Sequence, residues 1–352
     1  MSTIRYVTAA ALPEFLTGLL QQKGDTPTRV LVPMRRGRAV VFAPYAPGAE
    51  FTLERATVSP KEAVLPPCET LMTYSRTKDP ETPDRVTLSL DDTPEARPTV
   101  VVGGRPCDAR GFAVLDRPYY QARRERLTVI TQTCNAGCAT CFCHWVGSGP
   151  ADGEGSDVLM TAVRGEDGTE GYVLEAITEK GETLLAATAL PDGASRLDAA
   201  RAARQAALDG MPPAPDLSAA KDRLAARFTD TEFWQRQTAQ CLSCGACTYM
   251  CPTCYCFNIT DEGEGLNGQP GRRLRTWDTC MSSLFTREAG GHNPRMAKAL
   301  RMRNRISHKF SNYPITWNGV FSCNGCGRCI SQCPVHLDIR AIVLAAIKDQ
   351  GA

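Results

Sequence analysis

The chain has 352 residues, 43% of them hydrophobic, and its 40 Lys and Arg against 38 Asp and Glu give a formal net charge of +2. This balance excludes a charged, disordered chain and speaks against a general nucleic-acid binder without ruling one out, and the length suits two domains with buried cores. No span approaches the roughly 20 apolar residues that cross a bilayer, the best run being Ala341 to Ile347, so no membrane span is expected.

The opening segment is interrupted by Arg5, Pro13 and Glu14 and lacks the unbroken apolar core of an export signal. With seventeen cysteines and no such signal, the chain reads as a protein of a reducing compartment, the cytoplasm. Arg38 to Phe42, Thr99 to Val102 and Leu127 to Thr131 are β-branched runs bounded by Gly or Pro and are predicted strands. Asp157 to Arg164 and Gly171 to Ile177 read as a hairpin turning at Glu166, Asp167 and Gly168, and Ala194 to Leu208 as a helix. Three prolines between Gly210 and Asp216 then mark a linker. Charge changes at the same place. Residues 1–220 carry 23 Lys and Arg against 28 Asp and Glu, a net of −5, and residues 221–352 carry 17 against 10, a net of +7. Downstream, Leu217 to Ala239 holds one or two helices, Pro294 to Phe310 another, and Asp338 to Lys348 closes the chain. The expected fold class is α+β: a mixed α/β domain over residues 1–216, followed by an α-helical two-cluster ferredoxin domain over 217–352.

Eight cysteines form two copies of C-x2-C-x2-C-x3-C-P: Cys241, Cys244, Cys247, Cys251 before Pro252, and Cys323, Cys326, Cys329, Cys333 before Pro334. In two-cluster ferredoxins the fourth cysteine of each run ligates the other cluster. The expected ligands of one 4Fe-4S cluster are therefore Cys241, Cys244, Cys247 and Cys333, and of the other Cys323, Cys326, Cys329 and Cys251. Two intervening residues let the chain turn around a cube corner, and the proline ends that turn. Gly245, Gly325 and Gly327 allow close approach of backbone N–H groups to sulfide. Structural zinc is the competing reading of paired C-x2-C motifs, but two tight runs each closed by proline fit it poorly.

A second group of cysteines follows two predicted strand ends. Cys107 stands after the strand ending at Val102, and Cys134, Cys138, Cys141 and Cys143 crowd the stretch after Thr131. Adjacent strand ends bring such loops together, and five thiols exceed what ordinary packing explains, so a third metal centre is expected there. Their irregular spacing leaves zinc as a competitor.

Six motifs carry a family resemblance: Arg105-Pro106-Cys107-Asp108, Cys141-Phe142-Cys143, Gly147-Ser148-Gly149-Pro150, Cys251-Pro252-Thr253-Cys254-Tyr255-Cys256, Trp277-Asp278-Thr279-Cys280-Met281 and Ala289-Gly290-Gly291-His292. From about Cys68 to the C-terminus the chain resembles the beta subunit of soluble nickel-iron sulfhydrogenases and the A subunit of anaerobic sulfite reductase. The resemblance implies an iron–sulfur electron-transfer subunit with no catalytic residue of its own. It implies partners too: a flavin subunit that exchanges electrons with NAD(P)H, and a hydrogenase or other catalytic subunit, in a hetero-oligomer. It also singles out Cys107, Cys134, Cys141 and Cys143 as the ligands of a third cluster, with Cys138 and Cys68 as additions. His144-Trp145-Val146 departs from the family's Ser-Met-Gly-Thr before the shared Gly-Pro.

Cys254, Cys256 and Cys280 match the family but are one ligand short of a cluster, so they read as packing thiols or a secondary site. His292 reads as a turn residue rather than their missing partner. Asp261 to Gly271 reads as a surface loop, and Gly103-Gly104 alone is no dinucleotide fingerprint, so no NAD(P) site is expected in this chain. The basic run Arg295, Lys298, Arg301, Arg303, Arg305, Lys309 reads by default as a solvated helix face, and in this setting as a docking surface or a source of charge near the clusters. Two further functions stay open on the sequence: a sulfur-compound reductase with an active cluster in the N-terminal domain, and a zinc-stabilised scaffold or nucleic-acid module.

Overall fold

The computed structural model describes residues 2–348 apart from 22–25, 83, 93–95, 116–117, 166–167 and 264–269. In chain order the strands are β1 (Ile4–Thr8), β2 (Arg29–Arg36), β3 (Ala39–Pro44), β4 (Cys68–Lys78), β5 (Val86–Asp91), β6 (Thr99–Gly104), β7 (Leu127–Gln132), β8 (Val158–Arg164), β9 (Glu170–Ala176), β10 (Phe257–Glu262) and β11 (Gly271–Trp277). The helices are α1 (Leu12–Leu20), α2 (Pro106–Val114), α3 (Gln121–Glu125), α4 (Glu179–Ala186), α5 (Leu197–Asp209), α6 (Ala220–Ala226), α7 (Thr231–Thr238), α8 (Ala246–Tyr249), α9 (Lys298–Ser307), α10 (Tyr313–Thr316), α11 (Arg328–Ser331) and α12 (Ile339–Lys348). A π-helical turn, His308–Asn312, joins α9 to α10. Among the described residues, no helix is long and apolar enough to cross a membrane.

The larger sheet runs β1-β9-β8-β7-β6-β2-β3. β2, β6, β7 and β8 are parallel and occupy its middle, while the outer pairings are antiparallel. Every residue of β6 is buried, as a parallel strand covered on both faces requires. Alternate side chains divide between two cores. Val30, Val32, Val100, Val102 and Ile130 face α1 and α4, whereas Leu31, Val101 and Val129 face α2. The three predicted strands and the predicted hairpin are β3, β6, β7 and β8–β9, although Glu166 and Asp167 of the expected turn lie outside the described residues.

The region after Gly210 is helix-rich. Its core joins α6, α7, α9 and α12 through Leu224, Phe233, Trp234, Met302, Ile306 and Ile342, and it admits Phe142 from the N-terminal cysteine loop. Phe142 is 2% exposed, so its burial contributes about 2–3 kcal/mol to holding that loop against the helices.

A second, four-stranded antiparallel sheet, β10-β11-β4-β5, takes one hairpin from each side of the 210–216 stretch. Its centre is pinned by a buried ion pair, Arg275 Nε donating to Glu69 Oε1 at 2.7 Å, with Arg123 also against Glu69. Asp261 and Glu262, expected in a surface loop, instead lie in β10, and the tip of that hairpin falls outside the described residues. The ferredoxin half therefore contains strands as well as helices.

Candidate metal centres

Each ferredoxin run follows the same backbone course. Ser243 (φ 57) and Gly245 (φ 76) flank Cys244, and Gly325 (φ 60) and Gly327 (φ 73) flank Cys326. Left-handed residues on both sides of the second cysteine turn successive N–H groups inward, the concave arrangement that receives anions. Gly245 then starts α8 and Gly327 starts α11, single turns that carry the third cysteines, Cys247 and Cys329. Glycine is required at 325 and 327 for a second reason: a Cβ there would strike the backbone of Phe142 and Cys143, or of Thr140.

The thiols surround cavities. Cys241, Cys244 and Cys247 line one with Cys333 and Cys329, and Arg305 closes its inner wall. A second cavity is lined by Cys251, Cys323, Cys326 and Cys329 together with Arg305, Lys309 and Asn324. Among the described residues no three His, Cys, Asp or Glu side chains converge closely enough to hold a single ion. The thiols ring spaces rather than points.

Charge tests whether an anionic cluster fits these spaces. Arg301, Arg305 and Lys309 are 6%, 3% and 3% exposed. Among the described residues none of them forms an ion pair with a carboxylate. Arg305 donates from Nη2 to the Cys247 carbonyl at 3.0 Å, while its buried Nε has no partner. Lys309 donates to Thr253 Oγ1 and to the Ser322 carbonyl, both at 2.8 Å. Burial alone lowers the Lys309 ammonium, but charge interaction with the sulfurs of Cys251, Cys254 and Cys323 outweighs it and leaves its pKa above the ordinary value. An uncompensated buried cation costs several kcal/mol, so these cavities suit a group of net negative charge, which a cubane held by four thiolates is. The docking-surface expectation for Arg301 and Arg305 is thereby corrected: both point inward, and their row of the helix is the inner one.

The thiols answer to the same field. Burial pushes Cys323 up to about 12, with Lys309 opposing. A hydrogen bond from Cys254 holds Cys251 well below its ordinary value, and the same bond raises Cys254. Cys280 likewise stabilises the Cys256 thiolate, which falls to about 7. Cys254 and Cys256 thus pair with Cys251 and Cys280 respectively. Lys61, 4% exposed, donates to the Cys254 carbonyl at 3.0 Å and covers the Trp277 ring at 4.3 Å. His292 is exposed, and its carbonyl accepts from Glu288 N in a turn.

The N-terminal cysteines also meet. β6 and β7 are parallel neighbours, so their C-terminal ends put Cys107, near the start of α2, beside the loop that begins at Cys134. A cavity of about 420 Å3 is lined by Cys107, Cys134, Cys138, Cys141 and Cys143, with Arg55, Arg105, Gln132, Met211 and Cys326. Exposed Asn135, Ala136 and Gly137 form its rim. Cys138 is no bystander, because it is disulfide-bonded to Cys141. Burial raises the pKa of Cys107, Cys134 and Cys143 alike.

Four contacts bind this cavity to the second ferredoxin run. Phe142 N donates to the Gly325 carbonyl at 2.8 Å, and Asn324 Nδ2 to the Cys107 carbonyl at 2.9 Å. Arg55 bridges Cys138 Sγ, at 3.1 Å, and the Cys326 carbonyl. Arg328 and Asp108 form a bidentate pair at 2.5 and 2.9 Å, with side chains only 2% and 1% exposed. Neither Arg55 nor Lys61 stands out in the sequence, because each lies far from the cysteine runs it reaches. The inward row of α9 does leave a sign: cations at 301, 305 and 309 beside apolar Met302, Ile306 and Phe310, each row spaced by four.

Comparison with known proteins agrees with this geometry. Residues 240–337 match the family model described as a 4Fe-4S dicluster domain. Sulfhydrogenase 2 subunit beta of Pyrococcus furiosus is 28% identical over 250 residues, covering 68% of this chain and 71% of that protein. No solved structure matches. The chain therefore carries a two-cluster 4Fe-4S domain and is a distant homologue of a sulfhydrogenase beta subunit.

Proposed function

We propose that the chain is an electron-relay subunit of a multi-subunit oxidoreductase, carrying single electrons between a flavin subunit that exchanges with NAD(P)H and a catalytic subunit of hydrogenase or sulfite-reductase type. The observation that supports this reading is continuity: Cys329 lines the first and second cavities, and Cys326 lines the second and third. When bound, 4Fe-4S clusters supply reversible one-electron storage. Cys241, Cys244, Cys247 and Cys333 would hold one, and Cys323, Cys326, Cys329 and Cys251 the other. Arg305 and Lys309 compensate their charge, and the inward N–H groups of the two runs direct further positive potential at them. A division of the chain near residue 216 belongs to the same reading.

A third cluster on Cys107, Cys134, Cys141 and Cys143 completes the row. It requires the Cys138–Cys141 bond to open by exchange with an external dithiol, which becomes a disulfide as Cys138 and Cys141 become two thiols. A second reading, a sulfur-compound reductase, draws on the same cavity, whose rim reaches the surface and whose Arg55 and Arg105 each keep a buried Nε without a partner.

Iron and sulfide analysis of anaerobically purified protein, joined to EPR after dithionite, tests the proposal. Iron for at least two clusters, with loss of one signal in Cys333→Ala, is the expected result. A colourless zinc protein would overturn it, as would purification without any redox partner from its native cells at native expression level. Turnover of a sulfur compound by the isolated chain would move the assignment to the second reading.

A further inference from the structure

Arg301, Arg305 and Lys309 recur every fourth residue along α9 and the π-helical turn, so their side chains follow one line on the inner side of the helix. That line runs past both ferredoxin cavities. Arg301 Nη2 reaches Ser243 Oγ in the first run at 3.1 Å. Arg305 lines both cavities, whereas Lys309 lines only the second, where Thr253 and Ser322 bracket it next to Cys251 and Cys323.

Of the other cations nearby, buried Lys61 lines neither ferredoxin cavity and donates to the carbonyls of Thr248 and Cys254. Arg328 is paired with Asp108, and Arg55 is shared between Cys326 and the N-terminal cavity. Lys298, near the first cavity, is part-exposed and donates to the carbonyls of Ala239 and Cys241, so water screens it. Among the described residues Lys309 is therefore a buried charge with no carboxylate partner that lines one ferredoxin cavity alone.

We propose that Lys309 is a positioning residue for electrons: it favours the reduced state of the site held by Cys323, Cys326, Cys329 and Cys251 and makes that site the first to be reduced, while Arg305 acts on both sites. The inference rests on the crossed ligand sets proposed above. Reduction of either site adds one electron and makes or breaks no bond. A nearby cation in a low-dielectric interior offsets the added negative charge, and the effect weakens with distance. Placing the electron at the second site holds it beside Cys326, at the wall of the N-terminal cavity.

EPR-monitored redox titration of the full chain tests this, with signals assigned through Cys333→Ala and iron and sulfide measured in parallel. In the wild type the second site should reduce at the higher potential. Lys309→Met should shift that site alone, cutting its reduced-to-oxidised ratio at least tenfold at a fixed potential, which is 59 mV for one electron. Lys309→Arg should restore it, and Arg305→Met should lower both sites. Lys309→Gln, which retains hydrogen-bonding capacity without charge, serves if the Met variant loses iron. The proposal is overturned if the first site reduces first in the wild type, or if a loaded neutral variant leaves both ratios unchanged or shifts them equally. Wild-type protein lacking iron for two clusters would instead remove the dicluster reading beneath it.

Discussion

Phe142 N and the Gly325 carbonyl are 2.8 Å apart, and this hydrogen bond joins the N-terminal cysteine loop to the second ferredoxin run where Gly325 adopts φ 60. No side chain fits at Gly325, because its Cβ would enter the Phe142 and Cys143 backbone. Gly325→Ala should therefore separate the two loops and destabilise the protein by roughly 2–4 kcal/mol, a strained left-handed residue plus a backbone clash. Gly319, also at positive φ (84) but with open space around it, is the control and should lose less. Urea midpoints of the two variants make the comparison.

Arg328 and Asp108 pose a different question, since their bidentate bond is almost fully buried. Removing one partner leaves a charge without compensation, at about 3–5 kcal/mol. Arg328→Met and Asp108→Leu should each approach that loss, while the double variant should recover at least half of it. Thermal unfolding of all four proteins checks the cycle, and additive losses would show that the pair does not act as a unit.

Cys138→Ser should change the N-terminal cavity rather than leave it neutral. Without its disulfide partner, Cys141 becomes a free thiol beside Cys107, Cys134 and Cys143. Mass spectrometry after alkylation of unfolded, unreduced apo-protein should count one label more in this variant than in wild type, since the bonded Cys138 and Cys141 contribute none and Cys141 contributes one once Cys138 is gone. The wild type should accordingly show one label fewer, with Cys141 unlabelled until a reductant is added.

His308 gives a pH dependence whose sign follows from its surroundings. Burial, helped by neighbouring Lys309, lowers its pKa to about 4, while the Tyr255 and Tyr313 rings lie 6.2 and 6.1 Å away. The unfolded chain binds a proton near pH 6.5 and the folded chain does not, so the contribution is complete above pH 6.5 and is lost as pH falls toward 4. Its size is on the order of 1–3 kcal/mol after allowance for partial exposure. His308→Phe should flatten the fall in unfolding midpoint between pH 7 and pH 5; an unchanged slope would assign the acid sensitivity to other groups.

Local pattern carries much of this architecture. The runs at 38–42, 99–102 and 127–131 announce strands because β-branched residues between Gly and Pro have few alternatives. The doubled cysteine spacing announces the dicluster domain because loop geometry around each thiolate is local. The hairpin β10–β11 escapes such reading: Asp261, Glu262, Arg272 and Arg273 look like loop residues, and the strand that holds them in place, β4, lies far back in the chain. Arg301, Arg305 and Lys309 escape it for a related reason. A cation faces water by default, and only an interior anion reverses that preference, so the helix shows its spacing but not its orientation.

The four-stranded sheet has a consequence for synthesis. Arg275 and Glu69 are 206 residues apart in sequence, and at about 5–20 residues per second a ribosome needs on the order of 10–40 s to deliver the second hairpin after the first. During that interval β4 has β5 on one side and an open ladder on the other, with Glu69 waiting for Arg275. A nascent chain with such an edge is a candidate for strand exchange with its neighbours on the same message. Folding yield should thus depend on translation rate and temperature more steeply than the stability of the finished protein does.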